Sequence, residues 1–301
     1  MYDIIGDIHG HADKLEELLK KLGYSKKKKE FSHSERKVIF VGDYINRGPK
    51  IPETLEIVRN MVESKNAIAL MGNHEYHAIC FHTKKEKGGY LRKHTIKNIL
   101  QHYKTIKQFE HDQDGYDETI NWFKTLPLFF ENENFRVVHA CWDDDKINFF
   151  KSLTAHKLDH QLITDSTNED LPAFNAFEIT LKGKDLVLPL SERFSDKYGD
   201  HTSIRVKWWV DAHNSTFKEL CIDPLPGLKD DAVIGGEQLS ASRYKEEYKP
   251  VFFGHYALEG KPKILRNNIC CLDYSVAKEG PMVAYKYDGE KVLDNSKLIS
   301  V

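Results

Sequence analysis

The sequence lacks any hydrophobic run long enough to cross a membrane. Its apolar stretches, such as those at residues 38–41 and 251–253, are far shorter than the ~20 residues that a transmembrane helix requires. The first seven residues also carry no basic segment ahead of an apolar stretch, so we expect no signal peptide. Both absences predict a protein with no membrane partner.

Cysteine is scarce and the net charge is close to zero, and each absence excludes a class of protein. The five cysteines are an odd number without a Cys-x-x-Cys pair, which argues against a disulfide framework or a structural zinc site and predicts a cytoplasmic location. Lys and Arg number 44 against 46 Asp and Glu, a formal charge of -2. No overall field therefore attracts nucleic acid or an anionic membrane, and any anion must be bound by a local site. Nothing in the sequence predicts an oligomeric state.

The residues that are present are typical of a folded globular protein, since 40% are hydrophobic and 30% are charged. Short apolar runs at 2–5, 37–41 and 67–71 read as strands, and leucine-rich helical periods separate them at 15–22 and 55–62. The first third of the chain is therefore predicted to alternate strand and helix.

The rest of the chain is less regular. A helical period follows from residue 76, with one apolar stripe that contains Ile96, Ile99, Leu100, Tyr103, Ile106 and Phe109. A buried strand is predicted at 135–140, and further strands near 177–181 and 204–210. Three final runs, at 250–254, 269–274 and 281–287, are predicted to complete a second sheet.

Five short polar motifs each follow a strand-like apolar run, where the sites of α/β proteins are built. They supply oxygen and imidazole donors, which is what two adjacent divalent metal ions need, with one carboxylate able to bridge them. The motifs are Asp7-Ile8-His9-Gly10, Gly42-Asp43-Tyr44-Ile45-Asn46-Arg47-Gly48, Gly72-Asn73-His74-Glu75, His139, and Gly254-His255.

In these motifs and their order the chain resembles the metallophosphoesterase superfamily, and within it the phosphoprotein-phosphatase-like branch. The family's motifs are DxHG, GDxxDRG, GNHE, a strand-borne His and GH. The resemblance implies one α/β domain over residues 1–301, in which two mixed β-sheets pack face to face with helices outside. Helical and loop insertions at about 76–133 and 143–249 are expected to cap the site.

The resemblance also implies a role for each matched residue. The expected activity is phosphoester hydrolysis, in which a hydroxide shared by two divalent metals attacks phosphorus in line, with Mn the first choice and Fe, Zn or Ni as alternatives. The implied roles are Asp7 and His9 on the first metal, Asp43 bridging both, Asn73, His139 and His255 on the second, Arg47 and Asn73 on the phosphate, and His74 as general acid.

The chain departs from the family pattern at Asn46, where the branch usually has the Asp that pairs with the GNHE histidine. We expect the Asn46 amide oxygen to accept a hydrogen bond from His74 without supplying charge. Asp143, Asp144 or Asp145 could supply a carboxylate instead. A second phosphate-binding arginine is expected between the last two motifs, and Arg205 is the candidate.

These features leave several substrates open. Phosphomonoesters or phosphoproteins are the first expectation, and a dinucleoside polyphosphate such as diadenosine tetraphosphate, or a phosphorylated RNA end or nucleotide, are the alternatives. A protein that binds metal without turnover is the rival from another class. The sequence alone does not choose between them.

Overall fold

The computed structural model describes residues 1–153, 158–196, 199–212, 215–222, 225–229 and 244–301. The strands are β1 (Tyr2–Ile5), β2 (Ser25–Lys27), β3 (Glu30–Ser32), β4 (Lys37–Phe40), β5 (Ala67–Ala69), β6 (Phe129–Glu131), β7 (Arg136–Val138), β8 (Asp185–Val187), β9 (Phe194–Asp196), β10 (Gly199–His201), β11 (Ser203–Arg205), β12 (Val251–Phe253), β13 (Ile269–Cys271), β14 (Val283–Tyr287) and β15 (Leu298–Ser300). The helices are α1 (Ala12–Lys21), α2 (Ile51–Glu63), α3 (Asn73–His82), α4 (Ile96–Gln108), α5 (Gln113–Phe123), α6 (Asp144–Ser152), α7 (His160–Asp165), α8 (Pro172–Lys182) and α9 (Phe217–Leu220).

Two larger sheets organise the chain. The first sheet has the strand order β15-β14-β1-β4-β5, with β1, β4 and β5 parallel and β14 antiparallel to β1. The second sheet has the order β13-β12-β7-β6, with β12 parallel to both of its neighbours and β6 antiparallel to β7. Both sheets are therefore mixed, as predicted.

The two sheets pack face to face through alternate side chains of their strands. Ile4 and Ile39 of the first sheet lie in one buried cluster with Val137 and Phe252 of the second. The rings of Phe252 and Tyr285, one from each sheet, have centroids 5.0 Å apart. This shared core joins the two halves of the chain and confirms the predicted sandwich.

The outer faces of the two sheets are covered differently. Val38 and Phe40 of β4 pack under helices α1 and α2 against residues such as Leu15 and Val58. The second sheet instead packs against aromatic side chains, because Trp208, Trp209 and Tyr244 join a cluster with Val251 and Phe253. The tryptophan pair therefore belongs to the core.

Three sequence predictions need correction. Residues 177–181 lie in helix α8 and not in a strand. A short apolar run is compatible with either a helix or a strand, and Pro172 in the first turn favours the helix. Of the run predicted as a strand at 204–210, only the first two residues lie in a strand, β11 (Ser203–Arg205). The run at 281–287 forms β14, which joins the first sheet by pairing with β1 and not the second.

Helix α4 forms where its apolar stripe predicts a helix, but the stripe faces solvent from Ile96 to Tyr103, and only Phe109, just beyond the helix, is buried. Ile96 is 79% exposed and Leu100 67% exposed, whereas the buried helical positions are His102 and Thr105. A helix of a globular protein usually buries its apolar side. The reversed orientation brings two polar side chains of α4 toward the loops at the end of the first sheet.

No helix in the described part of the chain has both the length and the apolar character that a membrane span needs.

Candidate metal centre

The predicted site residues converge at the ends of strands from both sheets. Asp7 and His9 follow β1, and Asp43 follows β4, whereas Asn73 is the first residue of α3 after β5. His139 follows β7 and His255 follows β12 of the second sheet. The parallel pairing of β1, β4 and β5, and of β7 and β12, places these loops at one end of the sandwich.

The backbone of these loops is unusually constrained. Five residues other than glycine have a positive φ, between 49° and 72°, a conformation that L-residues seldom adopt. They are His9, Asp43, Asn46, Arg47 and His255.

The close approach of the loops also requires glycine. A Cβ on Gly42 would lie 2.5 Å from the backbone nitrogen of Gly72. A Cβ on Gly254 would lie 1.9 Å from a carboxylate oxygen of Asp7. Glycine at these two positions therefore lets the loops meet.

The first ligand group consists of Asp7, His9 and Asp43. The His9 Nε2 lies 3.6 Å from an oxygen of Asp43 and 4.0 Å from an oxygen of Asp7. The His9 Nδ1–H donates to the carbonyl of Ile45 at 3.0 Å, which leaves the Nε2 lone pair facing the carboxylates. A backbone carbonyl that fixes the ring in this way is typical of metal-ligating histidines.

The second ligand group consists of Asn73, His139 and His255, with the other oxygen of Asp43. The Asn73 Oδ1 lies 3.0 Å from His139 Nε2 and 2.9 Å from His255 Nδ1. His139 Nδ1 donates to the carbonyl of Val41, so its Nε2 presents a lone pair, 3.5 Å from Asp43. Several lone pairs thus converge on one point, an arrangement that a cation would stabilise.

Burial strengthens the case for cations. Desolvation, together with the neighbouring carboxylates Asp273 and Asp43, raises the pKa of Asp7 well above its ordinary value. Desolvation likewise raises the pKa of Asp43 to about 6 and lowers the pKa of His139 to about 4. Buried carboxylates that repel each other beside neutral imidazoles fit a pair of divalent metals, whose charge would offset the repulsion.

His74 lies beside the first ligand group, with its Nε2 3.9 Å from Asp43, and contacts Asn46 through its other ring nitrogen. The expected orientation of that contact is wrong. The Asn46 Oδ1 accepts from the Thr105 hydroxyl at 2.6 Å and from His102 Nδ1 at 3.0 Å. The Asn46 amide nitrogen therefore faces His74 Nδ1, at 2.6 Å, and donates to it.

The contact is the end of a longer chain of hydrogen bonds. His82 Nε2 lies 2.7 Å from the Tyr116 hydroxyl, which is hydrogen-bonded in turn to His102 Nε2. Because His102 donates from Nδ1, its Nε2 must accept, and every hydrogen bond then runs toward His74. Burial lowers the pKa of His102 to about 3, so this ring is neutral. The chain leaves the proton of His74 on Nε2, toward the metal ligands.

The acidic residues after strand β7 do not replace the missing carboxylate. Asp143 forms an ion pair with Lys184 at 2.6 Å, and Asp144 accepts from the Trp142 indole at 2.9 Å. His74 is oriented by Asn46 instead.

The two arginines differ in their placement. The Arg47 side chain is exposed at the edge of the first ligand group, and its backbone carbonyl accepts a hydrogen bond from Lys104. Arg205 is half-buried in β11 and lines one cavity together with Asn73 and His255. The charge of Arg47 acts to lower the pKa of Asp43, and that of Arg205 acts to lower the pKa of His255, so one arginine lies near each ligand group.

Glu75 was assigned no role from the sequence, although it closes the third motif. It is fully buried, and one carboxylate oxygen accepts the backbone N–H groups of Gly72 and Asp43 at 3.0 and 2.8 Å. Its other oxygen accepts those of Tyr44 and Ile45 at 2.9 and 3.3 Å. Glu75 therefore holds the Asp43 loop against α3.

We expect Glu75→Gln to destabilise the fold and weaken metal binding together. A glutamine has one acceptor oxygen, so two buried N–H groups would face its NH₂ group, at roughly 1–3 kcal/mol each. Urea unfolding with and without metal measures the loss. Glu169→Gln, at an exposed carboxylate, should leave both quantities unchanged; equal stability of the two variants would contradict the role of Glu75.

Comparison with known proteins agrees with this site. A family model described as calcineurin-like phosphoesterase matches residues 2–256. The chain is 32% identical over 139 residues to the asymmetrical bis(5'-nucleosyl)-tetraphosphatase PrpE of Oceanobacillus iheyensis, covering 46% of this chain and 54% of that protein. It is 32% identical over 177 residues to the enzyme of the same name from Halalkalibacterium halodurans, covering 56% and 68%.

The first of these matches spans about half the length of the relative. Among solved structures, a protein serine/threonine phosphatase from Saccharomyces cerevisiae is similar with a TM-score of 0.52 and 12% identity, over 100% of this chain and 78% of that one. Such a likeness shows a shared fold. Since the family model covers residues 2–256 of 301, the chain belongs to the calcineurin-like phosphoesterase family.

Proposed function

We propose that this protein is a phosphoester hydrolase that depends on two divalent cations, one held by each ligand group. The observation that supports this most is Asp43, whose two oxygens face His9 in one group and His139 in the other. When bound, such a pair of cations supplies hydroxide at neutral pH and neutralises the charge of a phosphate. The mixed oxygen and imidazole donors suit Mn best in our proposal, with Fe, Zn and Ni as alternatives.

The remaining site residues bind and orient the phosphate. Arg47 would contact two phosphate oxygens, since its side chain is exposed and its guanidinium forms a planar fork. Asn73 and Arg205 would contact the phosphate from the side of the second ligand group, since both line the cavity there. His74 directs its Nε2–H toward the metal ligands, 3.9 Å from an oxygen of Asp43, and would donate a hydrogen bond to the leaving oxygen.

The hydrogen bond from Asn46 limits what His74 can do. Since the amide donates to Nδ1, the ring carries one proton, on Nε2. Transferring that proton would leave an imidazolate, so His74 is suited to donate a hydrogen bond and not to act as a strong acid. Leaving groups that depart as stable anions, such as a phosphate, need no proton, whereas alkoxides do.

This consideration favours a phosphoanhydride over a phosphoserine as the substrate. The curated relatives described above are named bis(5'-nucleosyl)-tetraphosphatases, which points in the same direction. We therefore propose that dinucleoside polyphosphates are the preferred substrates, with phosphoproteins and phosphorylated RNA ends as the alternatives.

The test compares kcat/KM of the manganese-loaded protein for diadenosine tetraphosphate, an aryl phosphate, a phosphoserine peptide and an RNA with a terminal phosphate. We expect the highest value for diadenosine tetraphosphate and the lowest for the peptide. A higher value for the peptide or the RNA would overturn the proposed substrate. Absence of turnover with all four, in protein shown by elemental analysis to contain metal, would favour a binding protein.

We also propose that residues 1–301 form a single domain with insertions at 76–133 and 143–249, because β14 near one end pairs with β1 at the other. The cytoplasm is the compartment we propose, since all five cysteines are buried and none of them forms a disulfide.

A further inference from the structure

A cavity of about 510 Å³ adjoins the second ligand group. Asn73 and His255 line this cavity together with Arg92, Lys97 and Gln101, which lie around the start of α4. A volume of this size accommodates a nucleotide-sized group. The cavity therefore opens directly from the metal ligands toward the cap helices.

Arg92 lines this cavity and is held there by uncharged groups. Its backbone N–H donates to the carbonyl of Cys80 at 2.9 Å, and its Nη2 donates to the side-chain oxygens of Asn98 and Gln101 at 3.1 and 2.7 Å. In the part of the chain that the structure describes, its Nε and Nη1 have no hydrogen-bonding partner and no carboxylate forms an ion pair with it. Burial lowers the pKa of Arg92, the effect expected for a cation that no acid stabilises.

The rest of the cavity wall is basic as well. Lys97 is exposed at the rim, and Arg205 lies on the side of His255. Lys182 is paired with Glu178, so this one carboxylate of the wall is already neutralised. Among the described residues, the buried Nδ1 of His77, which lines the same cavity, also lacks a hydrogen-bonding partner. The surplus of positive charge and the two unpartnered nitrogens of Arg92 fit an anion larger than one phosphate.

We propose that this cavity binds the phosphates beyond the one under attack in a nucleoside polyphosphate, with Arg92 as their principal contact. The inference rests on the proposed function and names where the second half of its substrate lies. Nε and Nη1 of Arg92 lie on different edges of the guanidinium and would each donate to a separate non-bridging oxygen, while Asn98 and Gln101 fix its plane through Nη2. Lys97 would add a contact at the rim.

The test measures binding directly, so that it does not depend on turnover. Inorganic tripolyphosphate and inorganic phosphate are titrated by calorimetry into the metal-loaded protein, with metal salt in excess over total phosphate. We expect Arg92→Gln to weaken tripolyphosphate binding by about tenfold or more, the usual scale for losing a charge-assisted hydrogen bond, and to change phosphate binding less than about twofold. Lys97→Gln, at an exposed position that does not support the fold, should weaken tripolyphosphate binding by a smaller factor of about three.

Lys93→Gln is the matched control, because it removes the same charge one residue away on an exposed side chain outside the cavity wall. It should leave both dissociation constants unchanged. The subsite proposal would be overturned if Arg92→Gln weakened the binding of phosphate and tripolyphosphate equally. It would also be overturned if neither Arg92→Gln nor Lys97→Gln weakened tripolyphosphate binding selectively. Either result would leave the proposed hydrolase activity unaffected. If tripolyphosphate binding is weakened selectively but the protein turns over no substrate, the subsite is supported and the hydrolase activity is not.

Discussion

Asp43→Asn should remove most of the bound metal and lower activity by about a thousandfold or more. The carboxylate faces both ligand groups, and a neutral amide cannot balance two dications. Metal catalysis contributes several kcal/mol, and each 1.36 kcal/mol corresponds to about a factor of ten in rate. Elemental analysis of the purified variant and kcat/KM with an aryl phosphate are the measurements.

The fold of this variant should remain intact. The Asp43 Oδ1 accepts the His74 backbone N–H at 3.0 Å, a contact that an asparagine oxygen can retain. Because burial raises the pKa of Asp43, its ionised form destabilises the metal-free fold at neutral pH, and the amide removes that cost. Metal-free Asp43→Asn should therefore melt no earlier than metal-free wild type. Two-metal occupancy at a normal rate would remove Asp43 from the bridging position.

Asn46→Asp should raise hydrolysis of alkyl phosphates relative to aryl phosphates by at least about tenfold. An aspartate accepts at both oxygens, so it can keep the bonds from Thr105 and His102 and also accept from a protonated Nδ1 of His74. His74 could then carry two protons and donate one to an alkoxide, a step that typically contributes about 10²–10⁴ in rate. Aryl phosphates and anhydrides should respond little.

The ratio of kcat values on one alkyl and one aryl phosphate is the readout, because a general change in stability would lower both. His74→Ala supplies the control: in its background Asn46→Asp should have no effect on the ratio. If Asn46→Asp changes the ratio equally with and without His74, the effect does not pass through the imidazole and the proposed orientation of the pair is wrong.

The two sheets and the convergence of the metal-ligand motifs could be predicted from the sequence because both depend on local signals. Each motif follows a short apolar run, and parallel strands bring such loops to one edge. The Asp43 loop illustrates this, since its neighbours Gly42 and Gly72 already indicate a close backbone approach. The sheet to which β14 belongs was predicted wrongly, because the residue pattern of a strand does not indicate with which strand it pairs.

The orientation of Asn46 could not be predicted, because the residues that fix it lie 56 and 59 positions away on α4. The apolar stripe of that helix predicted that the opposite face would be buried. His102 and Thr105 are three residues apart and lie on one side, a polar pair that becomes informative only once the helix is known to bury it. Glu75 was missed for a related reason, since all four of its partners are backbone groups.

The positive φ angles around the centre have a consequence for protein engineering. Each non-glycine residue in the left-handed region costs about 1–2 kcal/mol, and five of them lie in the loops that carry the metal ligands. Glycine would relax the backbone at every one of these positions and delete the side chain at the same time. Screens that rank variants only by melting temperature would therefore enrich substitutions at His9, Asn46 or His255, which are the positions where added stability and lost chemistry come from the same change.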